Sequence, residues 1–150
     1  MVPTKSKRPS IAVQAGLLRS TYPGCDVKTS LNRTLTWTFK VKPSPLSDGY
    51  NVRMDYTIGK KPKVFVKTKL ALAYGAAELP HVYDNARQKL CLFFPDGSQW
   101  NSSMLLAKTI VPWIYDWLFH YEIWLATGLW FGGGIHPEND EEKIENEEKY

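Results

Sequence analysis

Hydrophobic and polar positions along the chain follow two different periods. Ile11, Ala12, Ala15, Leu18 and Tyr22 recur at helical spacing behind Ser10, whose hydroxyl suits an N-cap, so a helix is expected over residues 11–19, ended by Pro23-Gly24. From residue 27 to 41 the period falls to two. Leu31, Leu35, Trp37, Phe39 and Val41 fall on one face and Thr34, Thr36, Thr38 and Lys40 on the other, the pattern of a half-buried antiparallel strand. Turn chemistry from Pro43 to Gly49 leads into a second alternation, Tyr50, Val52, Met54, Tyr56 and Ile58 against Asn51, Arg53 and Asp55, which completes a hairpin. Gly59-Lys60-Lys61-Pro62 breaks that strand, and residues 64–72 read as a further short strand or a pair of extended turns. The expected sheet is a meander of three or four strands.

Residues 81–89 are polar and without period, and Pro95-Asp96-Gly97 turns the chain after the apolar run that follows them. Asn101 or Ser102 is placed to cap a helix running to Ile110; Pro112 starts or kinks the next, which extends over residues 113–126. Trp113, Trp117, His120 and Trp124 form one stripe of that helix and Ile114, Leu118, Tyr121 and Leu125 a neighbouring one, so it is expected to be covered on several sides. Gly128 and Gly132 to Gly134 mark a flexible exit. Strands grouped first and helices last place the chain in the α+β class.

Composition changes this picture little and charge changes it more. A chain of 150 residues, 43% hydrophobic and 23% charged, suits one compact domain, expected at residues 1–137. Beyond it, seven acidic side chains stand against Lys143 and Lys149, so residues 138–150 carry a net charge of −5 while the body carries +9, giving +4 overall. An acidic, flexible tail is expected there. The stretch 110–135 holds Pro112, Asp116, His120, Glu122 and four glycines, and is interrupted too early to span roughly 30 Å of hydrocarbon. Cys25 and Cys91 form no C-x-x-C pair and no apolar leader follows the basic N-terminus, the usage of reduced thiols in a cytoplasmic protein.

Leu90-Cys91-Leu92-Phe93-Phe94, taken alone, is the setting of a buried small hydrophobe. Its surroundings alter that reading. Lys61-Pro62-Lys63-Val64 resembles the P-P-K-V segment of ubiquitin-conjugating enzymes, and Leu90-Cys91-Leu92 resembles their I-C-L. His81 stands ten positions before Cys91, the separation between the first residue of that family's His-Pro-Asn motif and its thioester-forming cysteine, and Trp100 follows nine positions after. Residues 113–128 and the Gly132-Gly133-Gly134-Ile135-His136-Pro137 run are similar to the C-terminal part of the bacterial conjugating-enzyme-like proteins of cyclic-oligonucleotide-based anti-phage signalling systems (CBASS), of the short type without a separate activating enzyme.

The resemblance implies a ubiquitin-conjugating-enzyme-like fold: an N-terminal helix, an antiparallel meander, an active-site loop and C-terminal helices. It implies Cys91 as catalytic residue and His81 and Trp100 as its supports. The implied partner is the system's nucleotidyltransferase, similar to cyclic GMP-AMP synthase, whose C-terminal carboxyl becomes linked to the cysteine and which is thereby primed for second-messenger synthesis. A thiol suits that task because its thioester holds an acyl group yet stays open to attack. Val82-Tyr83 stand where the family has Pro-Asn, so its oxyanion-stabilising Asn is absent; Asn85, Asn101 or backbone N–H groups are the candidate substitutes. Arg87 and Lys89 are the cations nearest the thiol in sequence.

No cofactor is expected, since no phosphate-cradling glycine loop is present, and no metal, since His120 and His136 lack further ligands at metal spacing. No nucleic-acid module accompanies the basic body, so nucleic acid is not an expected partner. A non-catalytic adaptor of the same fold, activating its partner by binding alone, is the alternative.

Overall fold

The structure, a computed structural model, describes residues 8–132. It is an α+β arrangement of a six-stranded antiparallel sheet and two α-helices, compatible with a ubiquitin-conjugating-enzyme-like fold. The expected acidic tail, residues 138–150, lies outside the described residues.

Helix α1 (Ile11–Thr21) begins as its sequence demands, with the Ser10 hydroxyl accepting the Val13 N–H at 3.1 Å. Its buried face is Ile11, Gln14, Ala15 and Leu18. The run 27–41 is not one strand but two, β1 (Asp26–Ser30) and β2 (Thr34–Val41), paired from Asp26↔Thr38 to Ser30↔Thr34. Between them Leu31 and Asn32 both take left-handed backbone angles, φ 52° and 51°, the turn geometry that matches strand twist. Leu31, expected on the buried face, is therefore 89% exposed at the turn. Strand β3 (Tyr50–Thr57) pairs with β2 along its full length, and β4 (Lys63–Val66) pairs with β3.

Strand β4 stops at Val66 because the side chain of Gln88 takes over the work of a neighbouring strand. Its amide NH2 donates to the carbonyls of Val66 at 2.8 Å and Thr68 at 2.7 Å, and its oxygen accepts the Leu70 N–H at 2.8 Å. The polar segment 81–89, expected to be irregular, folds as a small hairpin of β5 (Val82–Asp84) and β6 (Lys89–Leu90). The sheet order is thus β1-β2-β3-β4-β6-β5, with β5 at an edge.

The helix expected to end at Ile110 is reduced to one 3-10 turn, Leu106–Lys108. Fully buried Gln14 of α1 explains this: it donates to the Met104 carbonyl at 3.0 Å and accepts the Leu106 N–H at 2.9 Å, bonds a helix would otherwise supply itself. Helix α2 (Ile110–Thr127) carries Pro112 in its first turn, where the missing N–H has no intrahelical partner to lose, and ends at Gly128 with φ 75°. Its buried face includes Ile114, Trp117, Leu118, Tyr121 and Trp124, whereas Leu125, expected within a covered stripe, is 37% exposed. Ile11 and Leu18 of α1, Trp37 and Met54 of the sheet, and Ile114 and Leu118 of α2 share one core, each burial stabilising by about 1.5–3 kcal/mol. No helix among the described residues is long and apolar enough to cross a membrane.

Candidate active site around Cys91

Cys91 is the first residue past β6, and its backbone is fixed before its side chain is considered. The Cys91 N–H donates to the carbonyl of His81 at 3.0 Å, across the mouth of the β5–β6 hairpin. His81 has φ 49°, a left-handed conformation. The same His81 carbonyl accepts the indole N–H of Trp117, from α2, at 3.1 Å. One main-chain oxygen therefore joins the cysteine to the long helix. The Cys91 thiol, half-buried, lies 3.9 Å from the Phe93 carbonyl, and the hydroxyl of Tyr83 reaches that carbonyl at 3.3 Å.

The thiol opens on a cleft of about 240 Å³. Helix α2 supplies one wall from Trp113, Asp116, Trp117 and His120, the spacing of one helical face. Trp130 closes the end: its ring stacks on His81 at 4.9 Å and lies 5.6 Å from Trp117. Gly132 completes the lining, and a Cβ there would meet Trp130 Nε1 at 2.8 Å and the His120 ring at 3.0 Å. On the remaining side, the loop after Cys91 presents Phe93 and Gln99; the Gln99 side-chain oxygen accepts the Phe94 N–H at 2.6 Å. Asp96, in the turn of that loop, accepts from the hydroxyl and the N–H of Ser98, which together hold its carboxyl below the usual range.

The family model for type II CBASS E2 proteins matches residues 14–137, most of the chain. The chain belongs to that family. A comparison with curated proteins gives no match.

Within this CBASS E2 protein the residues singled out from sequence have different fates. His81 lines the cleft, buried to 5% exposure, and contributes a carbonyl and a stacked ring. Trp100 does not line it. Buried beneath Phe93 at 5.8 Å and edge-on to Tyr56 at 6.1 Å, it supports the loop from behind. Asn85 sits at the far tip of the β5–β6 hairpin with its Oδ1 accepting the Leu79 N–H at 2.7 Å, and it lines a separate cavity shared with Arg53 and Gln88. The Asn101 carboxamide accepts from the Ser103 N–H and hydroxyl. Arg87 lies over the Phe65 ring at 4.8 Å and Lys89 over Tyr83 at 5.3 Å, and neither lines the cleft.

Asp116, His120, Gln99 and Trp130 are among the cleft residues that sequence reasoning did not assign to the site, as are Trp113 and Trp117. His120 is notable because its Nδ1 is buried without a hydrogen-bond partner among the described residues. A signal for two of them was present: Asp116 and His120 fall four apart, on the same face as Trp113 and Trp117, and interrupt that aromatic face. Among the described residues, no group of three or more His, Cys, Asp or Glu is arranged to hold a metal ion.

Proposed function

We propose that Cys91 accepts the C-terminal carboxyl group of the CBASS nucleotidyltransferase as a thioester, binding that enzyme and priming it for cyclic-nucleotide synthesis. The observation that carries this reading is a thiol opening on a cleft while its own backbone is held by the His81 carbonyl, in a chain of the CBASS E2 family. In the reaction the sulfur, as thiolate, attacks the carbonyl carbon of the activated carboxyl group. With the carboxyl group activated as a mixed anhydride with phosphate, a C–S bond forms, the C–O bond to phosphate breaks with its electron pair going to the departing phosphate, and the proton given up by the thiol passes to solvent.

The oxyanion formed on attack needs a donor, and the motif Asn that serves in the wider family is absent. Gln99 is the carboxamide that lines the cleft. Because its oxygen already accepts the Phe94 N–H, its NH2 group is the end left to donate. Trp100 acts one layer behind, holding Phe93 and so the loop.

Co-expression with the cognate nucleotidyltransferase in cells of the native host, which supply the activated carboxyl group, followed by a non-reducing gel, tests the reading. A thiol-sensitive adduct is expected, lost in Cys91→Ala and replaced by a thiol-resistant ester in Cys91→Ser. No adduct, or one that persists in Cys91→Ala, refutes it. A second reading, an adaptor that binds and activates without chemistry, is favoured by the placement of Asn85 and Asn101 away from the cleft. Under that reading Cys91→Ala leaves both complex formation and messenger synthesis unchanged.

A further inference from the structure

A second groove, of about 410 Å³, runs beside the Cys91 cleft and shares Leu92 and Phe93 with it. Val64 of β4 and Leu90 of β6, nearly buried, lie under its floor, and its accessible apolar surface comes from the partly exposed Leu92, Phe93 and Pro95. Pro62 and Pro95 flank it, so part of its wall is backbone already restricted in φ, which lowers the entropy lost when a ligand settles there. The charged residues among those lining it are Lys61, Lys63 and Lys89, all of one sign. Lys61 and Lys63 are exposed, and the Lys61 charge reaches far enough to help hold the Asp96 carboxyl ionised.

These features belong together. An acyl donor that presents a terminal carboxyl to Cys91 must run the rest of its chain over the surface next to the cleft. The groove next to the cleft, which shares Leu92 and Phe93 with it, is apolar at its base and carries lysines among its lining residues. An extended peptide with apolar side chains would bury them there, and alternate acidic side chains would face the lysines.

Resting on the thioester reading above, we propose that this groove binds the residues immediately preceding the partner's C-terminal carboxyl, and that it selects a tail in which apolar and acidic side chains alternate. The Lys61-Pro62-Lys63-Val64 segment is then a specificity element: the prolyl and valyl residues shape the groove and the two lysines read charge. Lys89, on β6 two residues before Cys91, places the third amine closest in sequence to the reacting end.

The test uses the full chain carrying Cys91→Ala, so that reversible binding is read without any covalent step. Fluorescence anisotropy is measured with three labelled octapeptides bearing free C-terminal carboxylates: alternating leucine and glutamate, alternating leucine and lysine, and alternating serine and glutamate. The leucine–glutamate peptide is expected to bind tightest. The leucine–lysine peptide should bind roughly tenfold more weakly, the combined effect of three screened surface ion pairs, and the gap should narrow as salt is raised. Charge reversal at Lys61, Lys63 and Lys89 to Glu should invert the preference, an outcome that mere loss of folding does not produce. K63E alone, checked by its melting curve, gives a partial inversion if the triple variant does not fold.

Equal binding of the two leucine peptides, or an unchanged preference after reversal, overturns the proposal. So does binding that appears only once residues 138–150 are removed, which assigns the groove to the chain's own acidic segment. Failure here is separable from failure of the thioester reading: adduct formation with no peptide preference removes the groove, and peptide preference with no adduct removes the chemistry.

Discussion

Gln88 offers the sharpest test of how the site is held. Its side chain makes three hydrogen bonds to backbone groups of the chain leaving β4, to Val66, Thr68 and Leu70, and its own φ is 52°. Gln88→Ala removes all three. At about 1 kcal/mol for each partly buried bond, the loss is about 3 kcal/mol, or a fall in Tm of about 6–12 °C for a domain of this size. Gln88→Gly loses the same bonds but relieves a left-handed conformation that costs an L-residue roughly 1–2 kcal/mol, offset in part by the greater freedom of glycine in the unfolded chain. The glycine variant should therefore be the more stable of the two, by about 1 kcal/mol. Denaturant unfolding followed by tryptophan fluorescence, with unchanged m-values, reads both differences. An alanine variant within about 0.5 kcal/mol of the parent, or a glycine variant less stable than alanine, refutes the reasoning.

Other consequences are as direct. Gln99→Ala should slow acyl loading of Cys91 about a hundredfold with little change in Tm, and an unchanged single-turnover rate removes its oxyanion role. In Gly132→Ala the new methyl group displaces Trp130 and the His120 ring, so loading should slow while stability moves by less than about 1 kcal/mol; parallel loading and melting measurements decide it. Leu31→Asn gives up no burial at an 89% exposed site and places at a left-handed position a residue that tolerates it, raising stability by about 0.5–1 kcal/mol in denaturant unfolding. Burial, joined by a hydrogen bond to Glu122, pushes the Tyr50 phenol well above its ordinary value, and burial raises Tyr22, Tyr115 and Tyr121 as well. Unfolded phenols ionise first, so this contribution is complete below about pH 10 and is lost as pH rises further. Tyr50→Phe should flatten the alkaline limb of the stability profile, and an unaltered slope counts against the assignment.

The elements with strong periods were legible in the sequence: α1 with its Ser10 cap, the alternation of β2 and β3, and α2. What stayed hidden was made by single side chains acting at a distance. Nothing local distinguishes Gln14 or Gln88 from a surface glutamine, yet one abolishes an expected helix and the other ends a strand. The β1–β2 turn escaped because Leu31-Asn32-Arg33 contains neither glycine nor proline, and its Leu31 fits the alternation. At the site, the Cys91–His81 spacing pointed to two residues that the β5–β6 hairpin brings together through the backbone. Asn85 illustrates the opposite case, near in sequence but carried to the far tip of that hairpin. The cleft wall on α2 was hidden by its own aromaticity, since Trp113 and Trp117 read as core whether or not a cleft lies beside them.

The shared acceptor at position 81 makes the seat of the thiol unusually indifferent to side-chain chemistry. Every amino acid brings a carbonyl, so no substitution there deletes the oxygen that Cys91 and Trp117 both bond; only a change in backbone preference moves it. His81→Gly should keep the thiol in place while losing the ring stacked on Trp130, whereas His81→Val, branched at Cβ and averse to positive φ, should tilt the cysteine and loosen the helix together. Drift at this position would be filtered by backbone dihedral angle before imidazole chemistry, leaving the ring to be kept or discarded according to what the cleft must hold.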